Sequence, residues 1–168
     1  MRSTADLSRV AVTVPLAGAL ATVAFDLFGQ GLSPLAGFAQ LAPVGLAQAS
    51  IKALTGIGSK PLAEVLHVLT GVLAYPLGYL LVARPVAARL VPWLHWSAVA
   101  AAYGVGLWVF ALYVMAHLVA GNAPFLGFQG ITWVALWGHV FYALVAAFAI
   151  ERRLPRTAPA AAAGPAPA

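Results

Sequence analysis

Apolar residues run almost unbroken through four stretches of the chain, 10–29, 62–83, 97–120 and 131–150. A hydrocarbon layer about 30 Å thick takes roughly 20 residues of helix to cross. Each stretch therefore predicts one membrane-spanning helix. Their ends carry helix punctuation: Gly29 and Gly31 after the first, Pro61 before and Arg84-Pro85 after the second, Gly121-Asn122 after the third. Pro15 and Pro76 fall inside predicted helices, where membrane helices tolerate proline. Ala19-Leu20-Ala21 resembles a signal-peptide cleavage site. Apolar character continues to Phe28, so the first helix is expected to stay uncleaved.

Polar and small residues recur at 3,4 spacing within each stretch, which gives each helix one such face. The first carries Ala19, Thr22, Asp26 and Gly29; the second Glu64, His67, Gly71, Tyr75 and Gly78. The third carries Tyr103, Gly106, Phe110, Tyr113 and His117; the fourth Ala135, His139, Tyr142 and Ala146. Small residues on such a face let helices approach closely, and Gly104-x-Gly106 reads as packing. In the long connection between the first two helices, residues 43–55 place Val44, Ala47, Ile51 and Leu54 on one face. Gln48 and Lys52 lie toward the other. This predicts a short helix at the membrane surface or re-entering it; the bland alternative is an apolar loop packed on the bundle. From Pro155 onward the chain is Ala and Pro with little else, a composition expected to be disordered. The expected fold is all-α: one domain over 1–154, a four-helix transmembrane bundle with a short interfacial helix in its first outer connection.

Composition agrees and removes alternatives. The chain is 62% hydrophobic and 8% charged, where a soluble domain carries about a quarter charged residues. A net charge of +5 would suggest nucleic acid in a soluble protein. Here the basic residues flank apolar runs and form no stripe for a phosphate backbone, so they set orientation instead. With both termini cytoplasmic, Arg2, Arg9, Arg84, Arg89, Arg152, Arg153 and Arg156 lie inside and only Lys52 and Lys60 outside. Trp93 and Trp96 then mark the inner interface and Trp133 the outer one; Trp108 and Trp137 read as lipid or neighbour contacts. Without cysteine there are no disulfides, thiolate metal sites or cysteine nucleophiles. No phosphate loop, nucleophile elbow or zincin motif occurs.

Ionisable residues inside a membrane are costly and mark sites or packing networks. In this topology Asp26, Glu64, His67, His117 and His139 fall in the outer half of the four helices. His95, beside Trp93 and Trp96, reads as solvated. Facing histidines could clasp a b-type haem or a divalent metal, with a carboxylate orienting them. Glu64-x-x-His67 has the i,i+3 spacing of di-iron bundles, without a second copy. The same groups could relay protons, or could simply fix helix packing by hydrogen bonds.

At His67-x-x-x-Gly71-x-x-x-Tyr75 and His139-x-x-Tyr142 the chain resembles the YagU-like and related four-helix proteins of the bacterial inner membrane. That resemblance covers 10–150 in hydropathy. It implies an uncharacterised multi-pass protein of the cytoplasmic membrane and no activity. The first expectation for function is thus a non-enzymatic accessory or structural subunit, whose partners are the bilayer and other membrane subunits or itself. The alternatives are a haem- or metal-binding redox bundle using His67, His117 and His139, or a small proton or solute transporter. The transporter lacks the paired broken helices of an internal repeat.

Overall fold

A computed structural model describes residues 4–154, and the Ala/Pro tail lies outside them. Five helices make up the fold, with no strand among the described residues. Helix α1 spans 4–35, α2 Pro43–Thr55, α3 Lys60–Leu90, α4 Trp96–Val119 and α5 Gly130–Arg153. All but α2 are long and apolar enough to cross a membrane. The long helices run up and down. One end of the bundle holds the 36–59 connection, and the other holds Leu154, the end of α5.

Two helices continue past the punctuation in their sequences. Helix α1 passes Gly29 and Gly31 and ends at Leu35; α3 passes Arg84-Pro85 and ends at Leu90. The cause is local. Each breaker is absorbed by a wide turn with i→i+5 hydrogen bonding, at Leu27–Leu32, Thr70–Ala74 and Tyr79–Ala83. Each wide turn lies immediately before an X-Pro step: Ser33-Pro34, Tyr75-Pro76, Arg84-Pro85. Proline lacks the N–H for a regular bond and its ring crowds the preceding turn, so the turn widens rather than the helix ending. A fourth wide segment, Phe110–Val119, closes α4 with Ala120 N–H donating to Met115 O at 2.9 Å.

Helix α5 is the centre of the bundle: half of its apolar window is buried, against 17% for the peripheral α3. Ala135, His139, Tyr142 and Ala146 are all buried along one face of it. Glycines set the closest crossings. Helix α1 meets α3 at Gly18, where a Cβ would stand 2.2 Å from Val72 O, and α4 meets α5 at Gly104. Gly106 is exposed and has nothing within 4 Å of where its Cβ would be, so Gly104 is the packing residue of that pair. Large apolar side chains such as Leu20, Val23, Leu81, Val82 and Trp137 point outward and are more than half exposed. Water does not tolerate apolar surface on this scale.

Helix α2 starts at Pro43 and ends on Gly56 in the left-handed conformation. It packs on α3 and the end of α4 through Ser50 and Ile51. Leu54, on the same predicted face as Ile51, is 72% exposed. Beyond α4 the chain makes a left-handed turn, with positive φ at Phe125, Leu126, Gly127 and Phe128. Non-glycine residues resist that conformation. Here Thr132 Oγ1 holds it by donating to Phe125 O at 2.6 Å.

Candidate functional site: a chamber at the connection end

The wide turns of α3 and α4, the regular helix α5 and the roof helix α2 line a partly open chamber of about 520 Å³. Helix α1 adds Thr22 and Phe25, and Leu126 closes one side. A volume of this size falls in the range of small-molecule sites. Most of the lining is aliphatic or aromatic, and no Lys, Arg, Asp or Glu belongs to it.

The five ionisable residues expected to converge divide into three groups. Asp26 and His67 meet across α1 and α3, with His67 Nε2 3.2 Å from Asp26 Oδ1. A carboxylate accepts only, so Nε2 carries the proton and donates. Gln30 Nε2 donates to the same oxygen at 2.7 Å. His139 stands alone, 7% exposed, with Nδ1 2.7 Å from Ala135 O and the edge of Phe25 against its ring at a centroid distance of 5.1 Å. Both histidines line the chamber.

Glu64 and His117 stand apart from it. Glu64 is exposed and lies 3.9 Å from Lys60 on its own helix, so the i,i+3 pair with His67 does not form a joint site. His117 bonds Asn122 O through Nδ1 at 2.7 Å and closes the end of α4. Among the described residues no three His, Asp or Glu side chains are grouped to hold a metal ion. His95 is exposed and caps α4, accepting from Ser97 N–H.

Two features escaped the pattern of stripes. Tyr75, Phe110 and Tyr142 give the chamber an aromatic wall, with Tyr75 and Tyr142 edge to face at 5.7 Å; all three sat on the stripes, but aromatic residues there read equally well as packing. At the opposite end, Arg84 Nε lies 3.2 Å from Glu151 Oε1, and Tyr79 donates to that oxygen at 3.1 Å. Arg84 Nη2 also donates to Leu154 O at 2.6 Å, which closes the end of α5. In the sequence Arg152 and Arg153 bear only on orientation, and nothing in the pattern links Glu151 to Arg84.

No protein-family model, no curated protein and no solved structure matches this chain, so the site stands on its own geometry.

Proposed function

We propose that this chain is an integral membrane protein of four spanning helices that holds a small, uncharged, apolar molecule, without catalysing its conversion. The observation that carries the proposal is the chamber: every long helix contributes to its wall, α2 roofs it, and no charged side chain lines it. A charged ligand would be buried there with no counter-charge, at a cost of several kcal/mol. The exposed apolar belts of α1 and α3 support insertion in a bilayer. The basic asymmetry of the sequence supports cytoplasmic termini, in a bacterial inner membrane on the resemblance above. In that orientation α2 lies over the outer half of the bundle, in the interfacial zone. A binding role of this kind suits an accessory subunit that delivers or retains its ligand within the membrane.

The test is extraction of protein purified in mild detergent, with mass spectrometry and an absorption spectrum. A neutral apolar molecule at near-stoichiometric amount is expected. Ala47→Phe, which adds a ring from the roof helix, should lose it. An identical extract from both proteins would mean detergent-borne lipid only and would sink the proposal. A Soret band or stoichiometric metal would overturn it in favour of haem or metal at the histidines.

A further inference from the structure

We infer that the chamber recognises an uncharged aromatic ring bearing a hydroxyl group, a phenol or quinol, through His139 and Tyr75. This rests on the ligand-chamber reading above and deepens it.

Several polar side chains of the lining are already committed within the protein. Tyr142 Oη donates to Gly71 O, Ser50 Oγ to Leu46 O and Asn122 Nδ2 to Ala116 O. Thr22 Oγ1, His139 Nε2 and Tyr75 Oη are not committed; Thr22 Oγ1 is buried with no partner and, as a hydroxyl, can donate or accept, so it sets no preference of its own. A carbonyl oxygen only accepts, so Ala135 O fixes the His139 proton on Nδ1. Nε2 of the neutral ring is then an acceptor, it has no partner, and the side chain is more than nine-tenths buried against the chamber. Whatever faces it must bring its own hydrogen. A quinone carbonyl or an ether would set lone pair against lone pair; a hydroxyl would not. Tyr75 Oη has no partner either and can donate or accept.

The geometry also selects a ring. Phe25 meets His139 edge to face, and Tyr75 meets Tyr142 in the same way one turn along α5. With Phe110 these form aromatic walls on several sides, suited to offset or edge contacts with a planar guest. Absence of charge in the lining disfavours fatty acids and phospholipid headgroups. An uncharged hydroxylated ring satisfies the acceptor, the hydroxyl and the walls together.

Three probes of one carbon skeleton separate the terms: tetramethyl-1,4-benzoquinol, its quinone, and tetramethylbenzene. Binding is titrated anaerobically to the full chain in detergent, with Ala47→Phe as the blank for micelle uptake. The quinol is expected to bind about tenfold tighter than the quinone or the hydrocarbon, the scale of one buried acceptor satisfied rather than stranded. His139→Phe should erase that preference while the hydrocarbon still binds, and Tyr75→Phe should reduce it several-fold. Equal binding of the three probes to the native chain, or tighter quinone binding, overturns the hydroxyl inference but leaves the chamber reading standing. No binding of any probe above the blank overturns both.

Discussion

Replacing Gly104 with alanine should weaken the protein far more than the same change two residues on. A Cβ at position 104 would stand 2.6 Å from Val140 Cα and 2.8 Å from His139 O. Both are backbone atoms of α5, so no side chain can swing aside. Ordinary contact begins at 3.4 Å, and moving from 2.6 to 3.4 Å requires the two helices to part by about 0.8 Å. A gap of that order forfeits a quarter to a half of each atom pair's attraction of about 0.1–0.2 kcal/mol. Over a few tens of pairs along the seam the loss is about 1–3 kcal/mol, the usual range for overpacking.

Gly106 supplies the control, because its missing Cβ faces open space. Gly106→Ala should stay within about 0.5 kcal/mol of the parent, as surface substitutions do. The assay is unfolding in mixed micelles of mild detergent and dodecyl sulfate, followed by tryptophan fluorescence. Equal midpoints for the two variants would refute the assignment of Gly104 to the crossing. Gly104→Ala also displaces the backbone at His139, so its probe binding should fall together with its stability.

Two further outcomes follow from the other end of the bundle and from the charge pattern. Arg84→Met and Glu151→Gln should each destabilise by about 1–3 kcal/mol, below the roughly 3–5 kcal/mol of breaking a fully buried pair, because the pair is slightly exposed and each group keeps a second partner, Glu151 the Tyr79 hydroxyl and Arg84 the Leu154 carbonyl. In the same micelle titration the double variant should lose clearly less than the sum of the two, and strict additivity would show that they do not act as a pair. Reporter fusions near Gly58 and after Leu154 should give opposite signals, with the second cytoplasmic; identical signals would rule out four crossings.

The number of long helices was legible because a membrane crossing needs one long apolar run, and nothing subtler. Which side chains share a face was legible throughout on α5 but not on α1 and α4, where Ala19 and Gly106 of the predicted faces are exposed. Helix α5 has no wide turn, and its stripe of Ala135, His139, Tyr142 and Ala146 is buried from end to end. Helix α3 begins in phase, with Ala63 and Gly71 buried and His67 partly so, while Glu64 falls just off the line and meets solvent. After the wide turn at Thr70–Ala74 the buried positions become Pro76 and Tyr79 rather than Gly78. An extra residue in a turn rotates everything beyond it by about 100°. On α4 the stripe is off the buried face already in the regular part, where Gly104 and Leu107 are buried and Gly106 is exposed, and His117 lies late in the wide segment Phe110–Val119 that follows. It closes the helix end instead of facing His139.

The same wide turns line the chamber, which a hydropathy window cannot see. Thr70 and Gly71 come from one wide turn; Phe110, Ala111, Leu112 and Met115 come from another. A wide turn departs from the regular i→i−4 pattern and shifts the phase of the side chains beyond it. The backbones touch at Gly104, and again at Gly18, which meets Val72 within the wide turn Thr70–Ala74; other residues of the two wide turns line the space beside His139. One of these turns has a cause visible in the sequence, since Tyr75-Pro76 forces the break in bonding just before it. The proline on the second apolar stretch is therefore the sequence feature that bears on the site. Read as merely tolerated, it hides the chamber; read as the cause of the irregular turn before it, it marks Thr70–Ala74, across from the aromatic and histidine positions of α5.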